Sequence, residues 1–336
     1  MTKARFKVVF AGPLVSFQDQ GRFGHLRFGV STSGPMDRFA HRAAHALVGN
    51  SNAGSAIEVS LGGLILECVA GEAMLTVAGG GFSVQCGATN TNGWTTQIIR
   101  RGEKLTLRAG EWGSWCYIAF AGQLTLDKWL GSTSTHSMSG FGAGKLTAGV
   151  EFEVQNSEVF NSRCGDTLCP NAARTTDKVR MIVGPQDQYF NLEAVKYFCS
   201  KPFELTDAFD RMGVRLSGPK LLLKDALSIP SEPIVRGSVQ ISGDGVPTVL
   251  LADHQTTGGY PKIATVLSVD VDRLAQMRSG DTFRFIPVSA EDAIAAVRKH
   301  YSTCEAILDD LAAPKATLAE KLQSLNLIDG IVSAID

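Results

Sequence analysis

Short runs of apolar and alternating residues recur along the chain, and turns containing glycine separate them. The runs are AIEVSL (56–61), EAMLTVAGG (72–80), EKLTLRAG (103–110), WCYIAFAG (115–122), VEFEVQ (150–155), VRMIVG (179–184), GSVQIS (237–242), PTVLLA (247–252) and TFRFIPV (282–288). Their β-branched and aromatic content, with glycine punctuation, predicts the strands of a mostly antiparallel protein. Helical spacing is confined to a few places. MDRFAHRAAHALVG (36–49) puts Phe39, Ala43, Ala46 and Leu47 on one face and stops at Gly49, which suits a left-handed C′ position. A second helix is expected over 186–199, and the longest over 290–313 with Ser289 as its N-cap. Beyond Pro314 a separate amphipathic helix is expected, as a packing or oligomer contact.

The fold class that follows is mainly β with a few helices (α+β). The polar, weakly periodic stretch 161–178 reads as a linker between a β domain over 1–160 and another over 179–289, with helices over 290–336. The two halves share short features. DQGRFG (19–24) and SGPMD (33–37) precede AIEVSLGG, much as DRMG (210–213) and SGPK (217–220) precede SVQISGDG. That doubling suggests two related barrels.

Hydrophobic residues make up 44% and charged residues 19%, the balance of a globular protein. With 32 Lys plus Arg against 33 Asp plus Glu, bulk charge favours neither nucleic acid nor an anionic membrane as partner. Seven cysteines, an odd number with no C-x-x-C pair, suit a reducing, cytoplasmic setting. The opening MTKARFKVVFAGPLV is cut by Gly12-Pro13 and reads as a first strand rather than a signal peptide. No run approaches the roughly 20 apolar residues of a membrane span.

Several chemistries find little support. GFGAGKL (140–146) departs from a phosphate loop, with Ser139 in place of the first glycine and Leu146 in place of the magnesium-binding hydroxyl. His41 and His45 share a helix face, but HRAAH has no glutamate between them and no third ligand is evident; a surface or hinge-facing pair is expected, and no metal. No G-x-S-x-G elbow is present.

Three glycine-bracketed polar clusters remain. In QDQGRFGHLRFGVSTSGPMDR (18–38), Arg22 and Arg27 could clamp a carboxylate or phosphate, with Asp37 orienting one of them. In VGNSNAGSAIEVS (48–60), Asn50 is either a ligand contact or a left-handed cap, and Glu58 is either a proton carrier or a buried acid paired with an arginine. In DHQTTGGYPK (253–262), Asp253, Gln255, Thr256, Thr257, Tyr260 and Lys262 crowd together, while Gly258 and Gly259 leave backbone open to close approach. Pro261 fixes φ and drives Tyr260 towards extended backbone. A plain turn needs one glycine or asparagine, so this third cluster reads as a receptor for a small anion or amide.

In chain order, QDQGRFG (18–24), GVSTSGPMDRFA (29–40), LVGN (47–50), AIEVSLGG (56–63), GSTST (131–135), DRMGVRLSGP (210–219), SEPIVRGSVQI (231–241) and LLADHQTTGGYPKIATV (250–266) resemble the allophanate hydrolase subunit 2 / KipA group. This group is also called the biotin-dependent carboxyltransferase family, and it includes the C-type component of the bacterial ATP-dependent 5-oxoprolinase. The resemblance implies two cyclophilin-like β-barrel domains in tandem. It implies action beside a companion of the allophanate hydrolase subunit 1 type and a third subunit, on a small amide or lactam, with ATP used by the assembled complex. Arg211 and Gln240 join the expected ligand contacts because they stand in its motifs. Asp253, Lys262 and Glu58 are the expected catalytic residues: loop amides and a cation for the developing oxyanion, Asp253 or Glu58 for the proton.

The chain departs from the family pattern at His45, where asparagine is usual, at AFAGQL (119–124), at Trp115 and at Lys145. Opening of 5-oxoproline to glutamate is the first expectation, since neither a biotinyl-lysine motif A-M-K-M nor a nucleotide-grasping domain is present. A carboxyltransferase served by separate biotin proteins is the second. A non-catalytic KipA-like antagonist of a kinase inhibitor is the third, and the intact DHQTTGGYPK argues against it.

Overall fold

The computed structural model describes residues 2–50, 54–224 and 229–314. Every run named above contains a strand, and the chain opens on one, Lys3–Ala11. In the first half the strands form two sheets, of seven and six strands. Phe6, Val8, Leu66, Leu107 and Phe152 of the larger sheet meet Ile57, Leu75, Val77, Ile118 and Phe120 of the smaller in one core.

The smaller sheet is covered on its other face too, by helix α1 (Arg38–Leu47). Its strands Ala56–Ser60 and Trp115–Phe120 are therefore buried along their whole length. Two-sided burial explains continuous apolar runs where alternation would otherwise be expected. Gly49 takes φ +80° after α1, so the left-handed position belongs to it and not to Asn50.

The second half closes into a seven-stranded barrel built from Lys178–Val183, Lys262–Val266, Ser238–Ile241, Pro247–Leu250, Gly213–Ser217, Pro202–Phe209 and Thr282–Pro287, in that order around the wall. Register sorts its side chains. Val214, Val249, Val239 and Ala264 are cross-strand neighbours and point to the core. Arg215, Thr248, Gln240 and Lys262 form the next row, on the opposite face. A register shift beside Gln240 lets Ile263 and Ala264 both face the core while Lys262 turns outward.

Helix α2 (Leu192–Ser200) begins later than expected, because 187–189 form a 3₁₀ turn and Asn191 is the N-cap. Helix α3 (Ser268–Ala275) has no counterpart among the expected elements. Helix α4 (Ala290–Ala312) is capped by Ser289, whose hydroxyl accepts from the Asp292 amide. It straddles the halves, packing Cys304 and Leu308 with α1, and Ala293 with Leu267 and Val269 ahead of and within α3.

The region around α3 fastens the two halves. Gln276 Oε1 accepts from the Ser114 and Trp115 amides, and Arg38 pairs with Asp272 at 3.0 Å. Within 161–178, Gly165-Asp166 adds a short strand to the smaller first-half sheet. The helix expected after Pro314 lies outside the described residues. No described helix is long and apolar enough to cross a membrane.

Candidate functional site

Glu58 and Tyr117 face each other across neighbouring strands, on the side of the smaller sheet turned away from the first core. Tyr117 Oη donates to Glu58 Oε2 at 2.7 Å, and the Met36 amide donates to the same oxygen at 2.8 Å. From the second half Arg211 enters this corner. Its Nη1 bonds Glu58 Oε1, its Nη2 donates to Gly34 O at 2.7 Å, and Nε and Nη2 hold Asp253 in a fork at 3.0 and 3.1 Å. The Ser137 amide completes Asp253 at 2.8 Å.

All three charged side chains are fully buried. Burial pushes Asp253 up, but the bidentate guanidinium and the Ser137 amide overcome it and hold the acid at about 2. Burial pushes Glu58 up as well, against Arg211, the Met36 amide and Tyr117. One guanidinium thus serves two carboxylates, and the better fork goes to Asp253.

Above this triad lies a cleft of about 280 Å³ between the halves. Arg22, Ser31, His136, Asp253, Gln255 and Thr256 supply its polar wall, and Trp129, Phe141 and Met212 its apolar one. Arg22 is buried. It donates from Nη1 to Ser33 Oγ at 3.1 Å and from Nη2 to Ser134 O, and stacks 5.1 Å from the Trp129 ring. Its Nε has no hydrogen-bond partner among the described residues. Arg27 does not join it: that side chain lies at the surface over Phe28, so the expected arginine clamp does not form.

Asp19 buttresses the corner by accepting from Ser132 Oγ (2.6 Å), Ser134 Oγ (2.7 Å) and the Thr133 amide (2.8 Å). GSTST therefore supports the segment on which Arg22 stands. GFGAGKL contributes Phe141 to the cleft wall, and Leu146 to the core.

The loop from Asp253 separates this cleft from a second one, of about 460 Å³, on the outer face of the barrel. Met212 and Gln255 line both. The second cleft holds Gln240, Thr248 and Arg215 from the polar barrel row, with Tyr260 at its side. Thr257-Gly258 pairs as a short strand with Glu232-Pro233. A Cβ on Gly258 would stand 2.5 Å from Gln240 Nε2, so any side chain there would push the end of Gln240 aside. At Gly259 a Cβ would meet the Ile229 carbonyl at 3.0 Å.

Lys262 is buried and stands apart from the triad. Its ion partner is Glu232, at 3.6 Å, and its Nζ has no hydrogen-bond partner among the described residues.

Two expected ligand contacts lie in other surroundings. Asp37 caps α1 by accepting from the Ala40 amide at 2.9 Å, and it takes Gln276 Nε2 at 2.8 Å. Burial, and then the neighbouring Asp272, push it up to about 7. Asn50 bonds Phe120 O and lines a separate hollow with Gly49 and Arg163.

The histidine pair, expected to face the surface or a hinge, is buried. The rings of His41 and His45 stack edge-on at 4.9 Å, and burial pulls them down to about 4 and about 3. Among the described residues no group of three or more His, Cys, Asp or Glu could hold a metal. Tyr117, Trp129, His136, Gln186 and Glu232 are not among the residues expected from sequence. Glu232 and the GSTST neighbours of His136 stand within family-like motifs, the one signal that points towards them.

A buried Arg–carboxylate triad joins the two halves, and clefts open on both sides of one glycine loop. Residues 28–287 match the carboxyltransferase domain, subdomain A and B, and the chain belongs to that family. It is 35% identical over 288 residues to the C-type component of 5-oxoprolinase from Haemophilus influenzae, covering 85% of this chain and 92% of that one. Among solved structures, TTHA0988 superposes with a TM-score of 0.75 at 31% identity, over 84% of this chain and 55% of its own length. The Kluyveromyces lactis urea amidolyase shares the fold, with a TM-score of 0.80 at 24% identity over 96% of this chain and 21% of that one. The chain thus spans about half of the first solved relative and a fifth of the second.

Proposed function

We propose that the chain is the C-type component of a multi-subunit 5-oxoprolinase, which opens 5-oxoproline to glutamate with hydrolysis of ATP. The observation that carries this reading is the likeness to the Haemophilus 5-oxoprolinase component over nearly the whole of that relative, including the loop that divides the two clefts. Opening a lactam adds water to the ring carbonyl, breaks the carbon–nitrogen bond and leaves the proton on nitrogen.

In this reading the backbone of Thr257–Gly259 faces the carbonyl oxygen as it gains charge, and the Lys262 ammonium holds the ligand's carboxylate. An acid held at about 2 is a weak base at neutral pH, so Asp253 fixes the start of the loop rather than carrying the proton. ATP is used by the assembled complex, with companions of the allophanate hydrolase subunit 1 type and a third kind.

The test is co-expression with those companions and an assay for ATP-dependent glutamate release from 5-oxoproline. Lys262→Ala is expected to lower turnover roughly a hundredfold or more with folding intact. Wild-type turnover by a well-folded variant would remove Lys262 from the chemistry. The shared fold of urea amidolyase supports a second reading, carboxyl transfer served by separate biotin proteins. Urea- and biotin-dependent consumption of ATP, with no glutamate formed, would select it.

A further inference from the structure

Lys262 ends the loop in an unusual condition. Its side chain is 4% exposed, yet its nearest carboxylate oxygen, Glu232 Oε2, lies at 3.6 Å, beyond the 2.7–2.9 Å of a charge-assisted hydrogen bond. Glu232 is 53% exposed and belongs to the two-residue strand paired with Thr257-Gly258. Gln186 connects the two. Its Oε1 accepts from the Lys262 amide at 2.9 Å, and its Nε2 bonds Glu232 Oε2. The glutamate is thus held by a neutral amide near the ammonium without engaging it, while half of its side chain is in water. Gln240, beside Lys262 in register, opens onto the 460 Å³ cleft.

We propose that Glu232 is a resident counterion which a ligand's own carboxylate displaces from Lys262, so that Glu232 and Gln186 are positioning residues that select small carboxylate-bearing ligands. A buried ammonium needs a negative neighbour when no ligand is bound, and an exposed glutamate supplies one that can swing into solvent. A ligand carboxylate arriving past Gln240 makes the short contact that Glu232 leaves unmade. Neutral ligands of the same shape have nothing to exchange for the glutamate. This inference rests on the reading of Lys262 as part of the ligand site.

The test is calorimetric titration of the 336-residue chain with L-5-oxoproline and with 2-pyrrolidinone, the same lactam without a carboxylate. Glu232→Gln is expected to bind 5-oxoproline about tenfold tighter, with 2-pyrrolidinone unchanged. Lys262→Met is expected to bind both equally. Equal weakening of both lactams in Glu232→Gln would make the glutamate a mere scaffold and overturn the exchange. So would a folded Lys262→Met that keeps the preference for the carboxylate, or the absence of carboxylate binding by both wild type and Glu232→Gln. If Lys262→Met does not fold, Glu232→Gln decides alone, since its side chain is half in water. Glutamate release by the assembled complex is scored separately. A complex that turns over while Glu232→Gln shows no gain would sink only the exchange.

Discussion

Arg211 and Lys262 are both buried cations of the second half, yet their surroundings are opposite. Arg211 is saturated: its guanidinium meets two carboxylates and a carbonyl, drawn from both halves of the molecule. The Lys262 ammonium has one distant carboxylate and no hydrogen bond among the described residues. A fully satisfied charge is at rest and holds its surroundings in place; an unsatisfied one retains capacity for something not yet bound. The contrast separates the part of the cluster that builds the molecule from the part that receives a ligand.

The most severe way to break this comparison is Arg211→Met. It strands Glu58 and Asp253 in the interior, and the expected loss is about 3–5 kcal/mol of stability, read as a lowered denaturant midpoint. A loss under about 1 kcal/mol would show that the triad is not what joins the halves.

Next in size is the acid response of the histidine pair. Burial lowers both folded-state values below 6.5, so their contribution is complete above that pH. It is lost as pH falls from 6.5 towards about 4 for His41 and about 3 for His45. Each costs roughly 1.4 kcal/mol per pH unit within its window. Asp37, pushed up to about 7, gains stability over the same range and offsets one of them. Unfolding midpoints are therefore expected to drop between pH 6 and pH 4 by about one histidine's share. His45→Asn should flatten that slope, and an unchanged slope would assign the acid response to other groups.

Lys262→Met should behave in the opposite way to the arginine variant. Its stability is expected to change by about 1 kcal/mol or less, because no hydrogen bond is lost, while activity disappears. A stability loss as large as that of Arg211→Met would erase the distinction between them. Smallest is Gly258→Ala. The new methyl meets the end of the Gln240 side chain, which can swing aside, so about 1 kcal/mol or less is expected. Ligand affinity should fall further than stability, because Gln240 lines the cleft.

How much of this is legible in the sequence depends on the distance over which each signal acts. Strand runs and the Ser289 cap are local, and they appear where their patterns place them. Helix α3 escapes a reading of the pattern because S-V-D-V-D alternates as a strand does, and its N-cap position is Leu267, which has no capping oxygen. The histidines are expected at the surface or a hinge because they share the polar stripe of Arg38 and Arg42, opposite Phe39, Ala43, Ala46 and Leu47. They lie inside because other elements cover that stripe too: His41 Nε2 sits 3.2 Å from Gln18 O, and α4 packs along α1. Arg211 and Glu58 are separated by 153 positions, and no spacing rule links them. The glycine loop can be singled out by composition. Its division of two clefts, and the separation of Lys262 from Asp253, follow only from the barrel's register.

The stapled corner also limits how a substrate can arrive. Parting the halves like a clamshell would drag a guanidinium and two carboxylates into the open seam at once, and α4, lying across both halves, would have to peel away with them. Both clefts already open to the surface, so a ligand can reach either without the halves parting. Met212 and Gln255 stand in both walls, so a change at either residue reshapes the two clefts together.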